Sequence, residues 1–404
     1  TIAASNGFKI VGHSNISLGW SVSGAGDING DGFADVIVGG PNSTNPMAFV
    51  VYGKATGATV NLSSGTIAAG DGFRLTGATG STLATTQSFF GGSVSSAGDV
   101  NGDGLNDLIV GAQNIADQSG AAYVIYGKTG GMPLNLSSNT IAASDGFVIT
   151  GATGSASNPV SFLGQSVSSA GDVNGDGFAD VIVGSEERNF VIYGGATNAS
   201  LSLASGTIAA TRGFAITSPP ADGELGASVS SAGDVNGDGL ADLVVGAPGT
   251  VTVAGRAYVV YGNSTGATVS LGGNGTIAPS LGFMITGETQ SGFGQSVASA
   301  GDMNGDGLGD LIIGSFRNPV EGTQSGAIGE VYVVYGNSTG TSLNLSSGTI
   351  AASDGFKLTY GGTQTTTWLG RSVSSAGDIN GDGLSDLIVG QPGLTSFSGS
   401  YSVV

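Results

Sequence analysis

Short apolar runs, fenced by glycine and small polar residues, recur along the whole chain. Val36-Ile37-Val38 is one of them. A β-branched run of this length, closed off by glycine, reads as a strand buried on both faces. One stretch shows the full order of such signals: Ser296-Val297-Ala298-Ser299-Ala300, Leu311-Ile312-Ile313, Val331-Tyr332-Val333-Val334-Tyr335 and Gly355-Phe356-Lys357-Leu358-Thr359. The pattern therefore predicts units of four strands.

Between the first and second strand signals lies a polar segment, Asp27-Ile28-Asn29-Gly30-Asp31-Gly32-Phe33-Ala34-Asp35. Crowding three aspartates into one turn is unfavourable unless a cation offsets their repulsion. Read as ligands, Asp27, Asn29 and Asp31 stand at positions 1, 3 and 5 of a calcium loop, the carbonyl of Phe33 at 7 and Asp35 at 9. Gly32 at position 6 supplies the freedom the sharp turn requires. An EF-hand would place a glutamate at position 12 and continue as a helix, whereas position 12 here is Val38, inside a strand signal. The loop is expected at a β-hairpin tip.

The same set recurs five more times: Asp99, Asn101, Asp103, Leu105, Asp107; Asp172, Asn174, Asp176, Phe178, Asp180; Asp234, Asn236, Asp238, Leu240, Asp242; Asp302, Asn304, Asp306, Leu308, Asp310; and Asp378, Asn380, Asp382, Leu384, Asp386. A solvated turn accounts for one copy, but turn formation does not demand an acid at position 9 in all six. Six Ca²⁺ ions are expected, at loops 27–35, 99–107, 172–180, 234–242, 302–310 and 378–386.

The loops are separated by 72, 73, 62, 68 and 76 residues, longer than the repeats of WD40 or kelch proteins. Four strands per unit, repeated radially, describe the blade of a β-propeller. The chain begins with a fourth-strand signal, Asn6-Gly7-Phe8-Lys9-Ile10, and ends with a third-strand signal, Ser400-Tyr401-Ser402-Val403-Val404. The expectation is an all-β, six-bladed propeller over residues 1–404, a single domain closed by its N-terminal strand, because closure removes a free sheet edge.

Composition sharpens this picture. Only 10% of the 404 residues are charged and 76 are glycine, which suits a turn-rich, secreted all-β protein. The net charge of −19, with ten scattered Lys and Arg, speaks against nucleic acid and anionic membrane. Eighteen of the 29 acids belong to the loops, and six divalent ions would bring −19 to −7. With no cysteine there is no disulfide or thiolate chemistry. Weak calcium sites fill where free Ca²⁺ is millimolar, which points to an extracellular or cell-surface setting. No apolar run approaches a membrane span, and no signal peptide opens the chain, which reads as a mature region or excised domain.

These residues resemble the FG-GAP repeats of the integrin α-subunit propeller. Phe-Gly appears at Phe90-Gly91 and Phe293-Gly294, Leu-Gly begins at Leu18, Leu163, Leu225 and Leu369, and Gly-Ala-Pro is complete at Gly246-Ala247-Pro248. The resemblance implies a propeller with calcium loops between first and second strands, and an adhesion role. Integrin propellers have seven blades with calcium in only some; here six units each carry a complete loop.

Other chemistry is sparse. The lone His13 cannot build a histidine triad or a multi-histidine metal centre. Gly127-Lys128-Thr129 lacks the glycine that a phosphate loop requires five residues earlier, where Ala122 stands. Glu186-Glu187-Arg188 places adjacent acids that point apart. Glu224, Glu288 and Glu321 are the candidates for carboxylate pairs over a central channel. Phe89, Phe162 and Trp368 precede the Phe-Gly or Leu-Gly position and suit packing between blades better than a sugar-stacking rim. Among the Asn-X-Ser/Thr sequons are those that begin at Asn15, Asn42, Asn61, Asn135, Asn198, Asn263, Asn337 and Asn344.

In an up-and-down blade the calcium loops share one face with the three-four connections. Those connections repeat closely, as residues 61–69 and 344–352 show, whereas segments 113–121, 186–189, 248–256 and 316–328 on the opposite face differ. The opposite face is therefore the expected binding face for a protein or glycan. The expected function is a non-catalytic, calcium-stabilised extracellular adhesion or protein-interaction module. A carbohydrate-binding lectin is the alternative, and a polysaccharide hydrolase or lyase using channel carboxylates is the third reading.

Overall fold

The computed structural model describes residues 7–12, 17–42, 45–78, 88–115, 119–131, 133–151, 161–185, 188–218, 224–250, 253–272, 276–289, 291–316, 329–360, 368–392 and 400–403. Two compact units divide the chain: residues 1–169, 177–186 and 191–213 in one, and 170–176, 187–190 and 214–404 in the other.

The first unit opens with β1 (Ile10–Val11), β2 (Ser21–Gly26), β3 (Asp35–Gly40), β4 (Met47–Val51), β5 (Val60–Asn61) and β6 (Gly72–Thr76). Its second repeat holds β7 (Val94–Gly98), β8 (Asp107–Ala112), β9 (Ala121–Ile125), β10 (Leu134–Asn135) and β11 (Gly146–Thr150). Strands β2, β3, β4 and β6 form one antiparallel meander and β7, β8, β9 and β11 another, as the four-strand pattern predicts. The third repeat consists of β12 (Val167–Gly171), β13 (Asp180–Val183), β14 (Arg188–Ile192), β15 (Leu201–Ser202) and β16 (Gly213–Thr217), its residues divided between the units.

The second unit continues with β17 (Ser228–Gly233), β18 (Asp242–Ala247), β19 (Arg256–Val260), β20 (Val269–Ser270) and β21 (Gly282–Thr286). It then holds β22 (Phe293–Gly301), β23 (Asp310–Ser315), β24 (Glu330–Val334), β25 (Leu343–Asn344) and β26 (Gly355–Thr359), and ends with β27 (Ser372–Gly377), β28 (Asp386–Gln391) and β29 (Ser400–Val403). Meanders recur as β17-β18-β19-β21 and β22-β23-β24-β26, while β27-β28-β29 has three strands.

One kind of element does not show in the strand pattern of the sequence. Strand β10 lies parallel on β6, β15 on β11, β20 on β16 and β25 on β21, adding an outer strand to the preceding repeat's meander. The three-four connections are thus staples as well as turns. Leu136 N–H donates to the Thr76 carbonyl at 2.8 Å, and Leu203, Leu271 and Leu345 bond in the same way to Thr150, Thr217 and Thr286. These leucines are buried. β5 makes the identical parallel pair with β1, and Leu62 N–H bonds Val11. Among the described residues β1 and β5 form a two-stranded sheet, in which β1 stands to β5 as β6 stands to β10.

The Phe-Gly and Leu-Gly positions belong to the core. Phe90 and Phe293 are fully buried and meet Tyr123 and Tyr332 edge-on, with ring centroids 5.6 and 5.4 Å apart. Their glycines permit close backbone approach between repeats: a Cβ on Gly164 would collide with the Ala121 carbonyl. The regular burial breaks in the first and last repeats, where Ile388 is 38% exposed against 0% for Ile37, Ile109, Ile182 and Ile312. Val22 on β2 is 64% exposed where Val94, Val229 and Val297 are at most 7% exposed, and Ile379 is 61% exposed where Val100, Val173 and Val235 are at most 1%.

Candidate metal centre

Each loop sits, as predicted, at the tip of a hairpin between first and second strands, for example β2 and β3. A register shift between Gly24 and Gly26 kinks the chain just before Asp27, and the same irregularity precedes Asp99, Asp234, Asp302 and Asp378. Gly30 and Gly32 hold φ of +75° and +88°, which only glycine adopts without strain.

The position-one carboxylate organises the turn. Asp27 Oδ1 accepts hydrogen bonds from Gly30 N–H at 2.7 Å and Asp31 N–H at 3.1 Å, and its Oδ2 accepts one from Gly32 N–H at 2.8 Å. Asn29 Oδ1 takes Asp31 N–H at 2.9 Å, Asn29 Nδ2 donates to Asp31 Oδ2 at 2.9 Å, and Asp31 Oδ1 takes Phe33 N–H at 2.9 Å. Asp99, Asp234, Asp302 and Asp378 repeat the first arrangement. In the third loop Asp172 Oδ1 receives Gly175 and Asp176, and Asp180 Oδ1 receives Gly194 N–H.

Position 9 stands apart. Asp35 is buried beneath the turn, with Oδ2 accepting from Ile28 N–H at 3.1 Å and Oδ1 from Gly53 N–H at 2.7 Å, at the start of the three-four connection. Asp107, Asp242 and Asp310 are held in the same way. Burial pushes Asp107 and Asp242 up to about 7 against the lowering effect of those N–H groups, and the neighbouring loop aspartates add to the rise. At Asp378 the N–H of Gly383 leads in lowering the carboxyl below its usual value.

Asp27, Asn29 and Asp31 are therefore brought together, while Asp35 ties the loop to its own sheet. Among the described residues no three acids or imidazoles gather closely enough to grip a metal as a side-chain cluster alone. The donor set is nevertheless wholly oxygen, concentrated at an exposed tip and strongly acidic, which fits a hard cation that also takes carbonyl and water oxygens. The loops are chained as well. The carbonyls of Asp27, Asp99, Asp172, Asp234 and Asp302 accept the N–H of Asn106, Ala179, Ala241, Gly309 and Ser385, each in the next loop.

The other candidate residues fall elsewhere. Lys128 pairs with Asp145. Glu288 accepts from Tyr332 Oη at 3.3 Å; that hydroxyl also lies 3.1 Å from Glu330, which Lys357 neutralises at 2.9 Å. Glu224 is exposed at the start of a turn. Phe89 and Phe162 are half-buried with positive φ, Phe89 lying 6.5 Å from the Trp20 ring, and Trp368 stacks with Arg371. These contacts are those of packing. His13, Asn15, Glu186, Glu187, Glu321 and most of 316–328 lie outside the described residues.

The FG-GAP repeat family matches residues 18–59, 90–125, 163–200, 225–260 and 369–403. The unmatched unit carries β22, β23 and β24 and makes the same loop bonds. Among relatives, integrin alpha-4 of Xenopus laevis is 34% identical over 41% of this chain and 14% of its own length. Integrin alpha-5 of Xenopus laevis is 31% identical over 58% of this chain and 20% of its own. Phosphatidylinositol-glycan-specific phospholipase D of Bos taurus is 30% identical over 42% and 18%. The chain thus spans a fifth or less of the length of these relatives. It carries five FG-GAP repeats, and integrin α-subunits are among its relatives.

Proposed function

We propose that this chain is a calcium-stabilised interaction module that acts in adhesion outside the cell and performs no chemistry itself. The observation that carries the reading is the sixfold all-oxygen loop, whose acids repel one another and whose position-nine aspartate is buried at Asp35, Asp107, Asp180, Asp242 and Asp310. Asp27, Asn29, Asp31, the Phe33 carbonyl and Asp35, with their counterparts in the other loops, would hold the ion. It would supply positive charge at the hairpin tips. Every hairpin bond described above is the chain's own contribution, positioning those oxygens and joining one loop to the next.

Six blades forming a closed ring is part of this proposal, with β1 completing the last blade. Val22 and Ile379 are uncovered at positions that a neighbouring repeat buries elsewhere, and closure would have to cover them. The ligand is a protein or glycan on the face opposite the loops. An extracellular setting follows from the calcium reading, and among the described residues no helix is long and apolar enough to cross a membrane. Catalysis gains no support from Glu288, whose neighbours Tyr332, Glu330 and Lys357 form a self-paired cluster.

With dissociation constants near 10⁻⁴ M, millimolar calcium adds about 1.4 kcal/mol per site. Thermal melting in chelator should therefore fall sharply and recover with calcium rather than magnesium. An unchanged melting temperature in verified metal-free protein would overturn the reading.

A further inference from the structure

Six of the chain's eight Asn-Gly pairs sit at positions 3 and 4 of the loops: Asn29, Asn101, Asn174, Asn236, Asn304 and Asn380, each followed by glycine. We propose that these are latent deamidation sites, kept dormant by the position-one aspartate. In deamidation the backbone nitrogen of the glycine loses its proton and bonds to the asparagine Cγ. The Cγ–Nδ2 bond breaks and ammonia leaves. The resulting succinimide takes up water and opens to aspartate or isoaspartate, so that one water is consumed and one ammonia released, with no oxidant or reductant.

The geometry arrests the first step and favours the second. In every loop the attacking N–H is already given to the position-one carboxylate: Gly30, Gly102, Gly175, Gly237 and Gly305 donate at 2.7 Å, and Gly381 at 2.6 Å. A carboxylate acceptor holds that proton by a charge-assisted bond and disfavours a second negative charge on the nitrogen. The electrophile, by contrast, is primed. Each asparagine Oδ1 accepts the position-five N–H at 2.7–2.9 Å, the contact that stabilises an oxyanion developing on Cγ. The common block therefore lies on the nucleophile.

The loops are not equivalent. In the first five, Nδ2 of the leaving amide donates to the position-five carboxylate at 2.9 Å. Asn380 instead reaches Asp386 at 3.4 Å, and this residue is exposed. Asn380 should be the first to react. Either product adds a fourth acid to its loop, and isoaspartate also lengthens the backbone by one methylene between positions 3 and 4.

Peptide mapping by mass spectrometry tests this on the full chain, incubated at mildly alkaline pH in calcium buffer with the fold followed by circular dichroism. Loop asparagines should deamidate at least about tenfold more slowly folded than in urea, the size of effect one charge-assisted hydrogen bond gives. Asn380 should be the fastest of the six. Asp99→Ala should accelerate Asn101 while leaving Asn236 and Asn304 at their wild-type rates. Asp107→Ala, which damages the same loop but spares both the Asp99–Gly102 and the Asn101–Asp103 contacts, should leave Asn101 slow. Equal folded and urea rates overturn the proposal, as does equal acceleration of Asn101 in the two variants. If Asp99→Ala unfolds the chain, all six sites speed up together, and the wild-type ratio and the rank of Asn380 decide.

Discussion

Asp107 shows how much a single loop residue carries. Its carboxyl is fully buried, accepts Val100 N–H and Gly127 N–H at 2.8 Å each, and faces Asp99 and Asp103 across the turn. Because burial raises it to about 7, as at Asp242, the fold without metal favours the neutral acid. The stability this contributes is fully present below the unfolded value of about 4 and is lost as pH rises through about 7. Chelated protein should therefore melt higher near pH 5 than near pH 8. In calcium the slope should reverse, since the ion binds the ionised form. Equal slopes in the two buffers would sink this account of the loop. The ligand types and spacing were legible in the sequence, because carboxylates at positions 1, 5 and 9 of one tight turn repel each other unless a cation lies among them. The second duty of Asp35 and Asp107 was not: their N–H partners at Gly53 and Gly127 lie 18 and 20 residues away, a distance only the folded hairpins close.

At the scale of elements, the four-strand meanders were readable because runs such as Leu311-Ile312-Ile313 have nothing polar to place elsewhere. The outer strands β5, β10, β15, β20 and β25 were not, since two residues carry no period and their partner belongs to another repeat. Their repetition was visible, in 61–69 and 344–352, but not its purpose. The buried Leu136, which follows β10 and bonds Thr76, pins two repeats together. Leu136→Ala should cost about 2–5 kcal/mol, the range for a buried leucine, measured by urea unfolding. A loss below about 1 kcal/mol would mean that these strands decorate the sheets without holding them.

At the scale of the whole molecule, the proposed ring and its binding face make separable demands. Deleting residues 1–12 removes β1, so the truncated chain should aggregate or melt earlier if β1 completes the last blade. A monomeric truncation of undiminished stability would argue against closure. Exchanging 248–256 or 316–328 should abolish partner binding and leave calcium-dependent melting intact, whereas Asp27→Ala should lower stability first. Normal binding by the loop chimeras would move the site elsewhere. Sequence comparison within the chain pointed to that face because its segments differ, but difference alone does not name a ligand. All of these demands rest on bound calcium, and the ions can be counted. Native mass spectrometry of the chelated chain, titrated with calcium, should show occupancy rising to six ions, with magnesium failing to compete at equal concentration. Fewer than six ions, or equal uptake of magnesium, would contradict the account.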